Sequence, residues 1–371
     1  MIAKEFEAAS LTVRLERIAG NYAVLRGLAG SAGVAAVVKA DGYGLGANMV
    51  ASTLRGEGCD TFFVARLQEG IALRQALPEA RIFVFDGAEP DAAPALIAHR
   101  LIPVLNSLPQ IAAWSAAAKA SRRTLDAAIH IDTGMNRLGV AQGELSLLAA
   151  EWKTRLAGLK PVLWMSHLAC SAEPENPMNA AQLNRFRAAL AILPPAPASL
   201  AASGGVLLGR DYLFDLARPG LALYGAHPQP PMGGKGTKNP FKTTAFLTAR
   251  LLQLRRAEPG ETVGYGATFT VSKPCLLATI GLGYADGVSR ALSNRGIAHV
   301  GGKRVKMVGR VSMDLTVLDV TGVEEARLGD EVELLGDHIS LEEVAEAAGT
   351  ISYEILTSLR LRVPHRYTDD A

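Results

Sequence analysis

A single lysine interrupts an apolar, β-branched run. Val34-Ala35-Ala36-Val37-Val38 leads into Lys39-Ala40-Asp41-Gly42-Tyr43-Gly44. This pattern predicts a buried strand with an amine at its C-terminal end, beside glycine turns. Lysine is seldom buried without a partner. In a partly dry site it loses its proton, becomes nucleophilic and condenses with a carbonyl. The same segment also suits a lysine that marks where a strand meets water. Ser203-Gly204-Gly205 and Arg218-Pro219-Gly220-Leu221 are two further candidates. Glycine lets backbone N–H groups approach an anion closely, and serine adds a hydroxyl donor. Either loop alone reads as an ordinary turn. His167, Arg137 and Tyr265 carry useful chemistry too, although a lone histidine is more often a packed one, an arginine a surface one and a tyrosine a strand aromatic.

The elements that hold these residues alternate. Strands are predicted at 35–38, 61–65, 82–85, 102–105, 127–131, 162–166, 199–202 and 221–224, with helical patterns such as 48–55, 69–76, 111–119, 145–156 and 179–193 between them. Strand, helix, strand implies a parallel sheet with helices outside. Eight such units match a (β/α)8 barrel, with a doubly wound open sheet as the structural alternative. Lys39, Asp132-Thr133-Gly134, His167, Ser203 and Arg218 cluster at the ends of the apolar runs. In a barrel that is the C-terminal mouth, where active sites are built, and the loops around strands seven and eight are its usual phosphate site. With Lys39 at the same mouth, the expected ligand is a phosphate that also carries an aldehyde, which pyridoxal phosphate fits.

A Pro/Gly-rich stretch from His227 to Gly234 then marks a boundary. Beyond it, strand-like runs at 243–254, 276–280, 304–308, 315–320 and 331–335 and one helix at 341–348 predict a mostly β domain. The expected division is a barrel over 13–240 and a C-terminal β domain over 241–371, which residues 1–12 join. Neither Gly42-Tyr43-Gly44-Leu45-Gly46 nor Gly233-Gly234-Lys235-Gly236-Thr237-Lys238 has the spacing of a nucleotide-binding loop.

Composition sets the bounds. The 371 residues are 49% hydrophobic and 20% charged, as in an ordinary globular protein. Lys+Arg 38 against Asp+Glu 36 leaves +2, no field for nucleic acid or an acidic membrane. Cys59, Cys170 and Cys275 form no disulfide framework and no metal-ligand spacing, so no metal is expected and a reducing cytoplasm is the simplest compartment. Met1-Ile2-Ala3-Lys4-Glu5-Phe6-Glu7 does not read as a signal peptide, and no apolar run reaches the roughly 20 residues that span a bilayer.

In segments 36–46, 132–139, 165–169, 218–225, 263–269, 281–286, 310–314 and 363–367 the chain resembles the bacterial alanine racemases, in the family's order. The resemblance implies a TIM-type barrel that binds pyridoxal 5'-phosphate, followed by a β domain, and a cytoplasmic enzyme interconverting L-alanine and D-alanine for peptidoglycan. It implies a homodimer with shared active sites. Lys39 matches the lysine that holds the cofactor as a Schiff base and serves the D-enantiomer. Tyr265 matches the base on the opposite face, supplied by the second subunit. His167 and Arg218 match a hydrogen-bonded chain to that tyrosine, and Arg218 also the arginine facing the pyridine nitrogen. Tyr43, Ser203, Gly220, Leu221 and Tyr353 match phosphate contacts. Arg137 and the Met313 amide match groups that bind the substrate carboxylate, with Asp314 beside them. Tyr284 and Tyr353 match tyrosines that narrow the mouth, with Arg290 and Arg310 farther out.

Three positions depart from the family pattern. His130 stands where a lysine, often carbamylated, is common, Ala202 where an asparagine is, and Ser312 where a cysteine is. A racemase of broader range, acting on serine for example, is a close alternative. A barrel-type decarboxylase is a more distant one, because decarboxylases of this fold pair the pyridine nitrogen with a carboxylate. A non-catalytic cofactor-binding barrel lacks a second domain.

Overall fold

The computed structural model describes residues 7–229, 238–359 and 362–369. Residues 1–6, and the 230–237 part of the linker with most of its Gly233-Gly234-Lys235-Gly236-Thr237-Lys238 motif, lie outside the described residues.

The short apolar runs form a 7-stranded parallel sheet. Its strands, in chain order, are Ala36–Val37, Thr61–Val64, Arg81–Val84, Ile102–Leu105, Leu125–His130, Leu159–Met165 and Ala198–Ser199. Thr61–Val64 and Ile102–Leu105 are buried at every position, because helices cover one face and barrel-filling side chains the other. Leu216–Ala217 adds the last stave, pairing in parallel with Gly33–Val34. Asp215 N donates to Ala198 O at 3.0 Å and Arg218 N to Ala201 O at 2.8 Å. Ala35 N to Ala217 O and Val37 N to Pro219 O, both 2.9 Å, complete the ring. A closed ring excludes the doubly wound alternative.

The last strand is not where the hydrophobic run predicts it. Leu221–Tyr224 is a single 3-10 turn, and the strand lies just before Arg218. Pro219 has no N–H to give a ladder and Gly220 releases the chain, so the apolar run curls inward instead. The helix foreseen at 145–156 is also broken at Glu151, into Gln142–Ala150 and Trp152–Arg155.

The second unit is an 8-stranded sheet. Its order is Cys275–Ile280, Thr316–Asp319, Lys303–Met307, Ile297–Val300, Glu331–Leu335, Ala245–Ala257, Ala9–Arg14 and His365–Thr368. Ala245–Ala257 pairs with Glu331–Leu335 and Ala9–Arg14 along its first half. From Leu251 onward it pairs with Cys275–Ile280, with a register shift between Leu251 and Gln253, so that part of the sheet closes on itself.

Two helices follow where the sequence shows one. Leu341–Ala348 starts in a capping box, Ser340 Oγ accepting from Glu343 N at 3.2 Å. The second, Ser352–Ser358, is too short to display a helical period, yet it presses on the glycine turn after Lys39. A Cβ on Gly44 would lie 2.6 Å from Leu356 O, and His365 Nε2 lies 3.0 Å from Gly44 O. Glycine is required there by both contact and φ of 86°.

Candidate active site

Lys39 opens a short turn at the end of a stave whose residues from Ala35 to Val38 are all buried. Its Nζ lies 5.8 Å from the centroid of the Phe85 ring. Burial lowers its proton affinity first, Arg137 and Arg218 lower it further, and Glu69 opposes them. The amine therefore releases its proton more readily than an exposed lysine.

Arg218 lies beneath, 2% exposed. Its Nε donates to Ser199 Oγ at 2.7 Å, and Nη2 to the carbonyls of Ser166 at 2.5 Å and Leu200 at 3.3 Å. Burial pulls its pKa down to about 10, so it remains a cation at neutral pH. His167 is held neutral, chiefly by burial and then by Arg218 and Arg137. Its carbonyl accepts from Gln182 Nε2 at 2.9 Å, and the same amide reaches Thr133 Oγ1 at 3.2 Å, tying two mouth loops together.

The glycine loops form one concave wall. Ser203 Oγ accepts from Gly220 N at 3.0 Å and from Ala222 N at 3.1 Å. Ser203 also opens the helix Ser203–Leu207, whose first amides have no intrahelical acceptor. Tyr43 packs on this wall, its ring centroid 4.6 Å from that of Tyr224 and 5.9 Å from that of Tyr353. A Cβ on Gly220 would overlap the Tyr43 hydroxyl. Burial keeps the Tyr43 phenol protonated, and loss of water around the more exposed Tyr353 hydroxyl raises its pKa as well, so both can donate to an anion. The cradle suits a phosphate and the amine beside it suits an aldehyde, so the residues present fit pyridoxal phosphate.

The loop bearing Arg137 is held at both ends. Asp132 Oδ1 accepts from the amides of Gly134, Met135 and Asn136 at 2.8, 2.9 and 3.2 Å. At the other end Val140 N donates to His130 O at 2.8 Å. Asn106 Nδ2 spends both hydrogens on the carbonyls of Phe85 (2.8 Å) and Val104 (2.9 Å). Its Oδ1 therefore faces His130 Nδ1 at 2.9 Å, and that nitrogen carries the proton. Burial, with Arg218 and Arg137 nearby, pulls the His130 pKa down to about 4. His130 is thus a neutral imidazole whose Nε2 keeps its lone pair, not an anion.

Other predicted residues make no recorded contact with Lys39 among the described residues. Tyr265 is 74% exposed, and no hydrogen bond of its ring is found among the described residues. Met313 and Tyr284 are exposed, as are Arg290 and Arg310. Tyr284 N donates to Ser312 O at 3.0 Å. Asp314 pairs with Arg362 at 2.6 Å, and Arg362 also reaches Asp286 at 3.4 Å. Three contributors were not singled out from the sequence: Asn106, Ser199 and Tyr224, whose hydroxyl donates to Val37 O at 3.1 Å. Their partners are distant in sequence, so no local pattern marks them. Among the described residues no cluster of His, Cys, Asp and Glu is placed to hold a metal ion, and no helix is long and apolar enough to cross a membrane.

Residues 13–228 match the family described as alanine racemase, N-terminal domain, and residues 244–367 the alanine racemase, C-terminal domain. The chain is 47% identical to the catabolic alanine racemase of Agrobacterium fabrum, over 96% of its own length and 91% of the relative's. It is 46% identical to the alanine racemase of Rhodospirillum rubrum, over 97% and 96% of the two chains. Its fold superimposes on the crystal structure of the alanine racemase of Bartonella henselae, which holds covalently bound pyridoxal phosphate. The TM-score is 0.92 at 38% identity, covering 97% of this chain and 99% of that one. With two family domains in register and near-complete coverage by relatives, the chain is a member of the alanine racemase family.

Proposed function

We propose that this chain is a pyridoxal-phosphate-dependent alanine racemase that interconverts L-alanine and D-alanine by two bases, one on each face of the substrate. The observation that carries this reading is the shared barrel mouth. It joins a half-buried Lys39 whose proton affinity is lowered, an anion cradle at Ser203 and Gly220, and the buried Arg218 cation. The names of its relatives support it, as does the cofactor held by the Bartonella henselae structure.

When bound, pyridoxal phosphate spreads the negative charge left as the amino acid's α-proton departs. The chain's own groups do the rest. Ser203 Oγ, the Leu221 amide, and the Tyr43 and Tyr353 hydroxyls would hold the phosphate, Gly220 letting that backbone come close. Lys39 would hold the aldehyde carbon through its amine and would take or return the substrate's α-proton on the D face. Arg218 would meet the ring nitrogen and, since it keeps its own proton, would leave that nitrogen without one, limiting how far charge is drawn into the ring. Arg137, beside the neutral His130, would orient the substrate carboxylate together with the Met313 amide and Asp314 of a second copy, which one chain leaves exposed.

The proton on the L face needs Tyr265, which one chain leaves exposed. We assign it to the mouth of a second copy, in a homodimer with shared sites, where His167 and Arg218 lower the cost of its phenolate. Tyr284, Arg290 and Arg310 then line the approach, and the narrow mouth selects a small side chain. The enzyme acts in the cytoplasm and supplies D-alanine for peptidoglycan. The test is optical. Protein loaded with pyridoxal phosphate should racemise either enantiomer of alanine to a mixture, ahead of serine in a panel of amino acids. No change in optical activity with the cofactor present would reject the assignment.

A further inference from the structure

The backbone after Lys39 is left-handed at five successive residues. Ala40, Asp41, Gly42, Tyr43 and Gly44 have φ of 53°, 53°, 63°, 57° and 86°. Residues with a Cβ resist this conformation, and a run of them persists only where the surroundings over-determine it. Glu69 supplies one such constraint. Its Oε1 accepts from Ala40 N, the amide directly after Lys39, at 2.7 Å. Its Oε2 accepts from Ala65 N at 2.8 Å and Arg66 N at 3.0 Å.

The bond to Arg66 is ordinary helix capping, since Glu69 is the third residue of the helix Leu67–Ala76. The bond to Ala40 is not. It crosses from the loop after one stave to the loop after its neighbour. Glu144 shows the difference. It occupies the same position in Gln142–Ala150 and reaches back to Ala141 N at 3.3 Å, and among the described residues its side chain makes no other hydrogen bond.

We propose that Glu69 is a positioning residue for Lys39. One carboxylate oxygen fastens the left-handed turn that presents the amine, and the other fastens the end of the adjoining stave. Glu69 is also the anion that faces Lys39 in this mouth, opposite the cations Arg137 and Arg218 and beside the Phe85 ring. Replacing it changes both the place of the amine and the charge around it. This inference rests on the reading that Lys39 carries the cofactor.

The experiment compares Glu69→Gln with Glu144→Gln in protein loaded with pyridoxal phosphate. Glutamine has one acceptor oxygen, and its NH2 group opposes an amide N–H. One of the two anchors is therefore lost, whichever way the side chain turns. Glu69→Gln should lower kcat for alanine by about tenfold or more with KM changed little, the scale expected when a reacting group is misplaced by a fraction of an ångström. It should also shift the midpoint of the visible absorbance–pH titration of the lysine-bound cofactor. Glu144→Gln should leave kcat and that midpoint at wild-type values. Equal effects of the two variants, or wild-type kcat and midpoint in Glu69→Gln, would overturn the proposal. Should Glu69→Gln not fold, Glu69→Asp keeps the charge but is one methylene short of spanning both anchors. Reduced kcat in it supports the proposal, and wild-type kcat overturns it. Wild-type protein with no cofactor linked to Lys39 would instead remove the reading on which the proposal rests.

Discussion

His130 stores a pH-dependent part of the folding free energy, and its size follows from the structure. The folded protein holds this imidazole neutral, with a pKa near 4, where burial, Arg218 and Arg137 all oppose a second proton. In the unfolded chain the value returns to about 6.5. The unfolded state therefore binds more protons between these limits, and stability falls as pH falls. The contribution is fully present above about pH 6.5 and is lost progressively toward pH 4. At pH 5 the linkage relation gives a loss of about 2 kcal/mol relative to pH 7.5. The perturbation is His130→Gln, which keeps a neutral side chain able to meet Asn106 Oδ1 but cannot titrate. Other groups, His167 among them, also take up protons on unfolding in this range, so the informative quantity is the difference between the two proteins. Urea unfolding of wild type and variant from pH 7.5 to pH 5 should show the wild type losing about 2 kcal/mol more than the variant. Parallel pH profiles would refute the buried, neutral assignment of His130.

Three further outcomes are expected. Ser203→Ala leaves the buried amides of Gly220 and Ala222 without their acceptor, at a cost of about 2–4 kcal/mol. The thermal midpoint of the cofactor-free protein should drop by several degrees, and an unchanged midpoint would contradict the cradle geometry. Gly44→Ala meets both a φ of 86° and the Leu356 carbonyl, so calorimetry should show a loss of at least about 1 kcal/mol. Gly27→Ala, in open space on the helix Leu15–Ala29, should show none. Tyr265→Phe should slow α-proton exchange in deuterated water from L-alanine far more than from D-alanine, and equal slowing would remove its facial assignment.

What the sequence discloses and what it hides divide along physical lines. Lys39 at the end of a buried stave is legible because strand, charge and glycine turn are adjacent in the chain. The alternation that predicts a barrel followed by a β domain is legible for the same reason, and the closed ring and the family match agree with it. The last stave was placed a few residues late because Leu221–Tyr224 is the more apolar run, while Pro219 and Gly220 decide where the ladder ends. Ser352–Ser358 stayed hidden because seven residues cannot show a helical period, although it brings Tyr353 to Tyr43. Glu69 carried a usable signal in its spacing from Arg66, but arginine is not a usual capping residue, so the pattern did not stand out. Asn106 and His130 lie 24 positions apart and meet only through the barrel. The tautomer that makes His130 a neutral neighbour of Arg137 emerges from two carbonyl contacts with no sequence signature at all.

The central claim is that the Lys39 amine carries the cofactor. Protein loaded with pyridoxal phosphate can be reduced with borohydride, digested and mapped by mass spectrometry. The account predicts a phosphopyridoxyl group on the peptide containing Lys39 and on no other lysine. Modification of a different lysine, or of none, would contradict it.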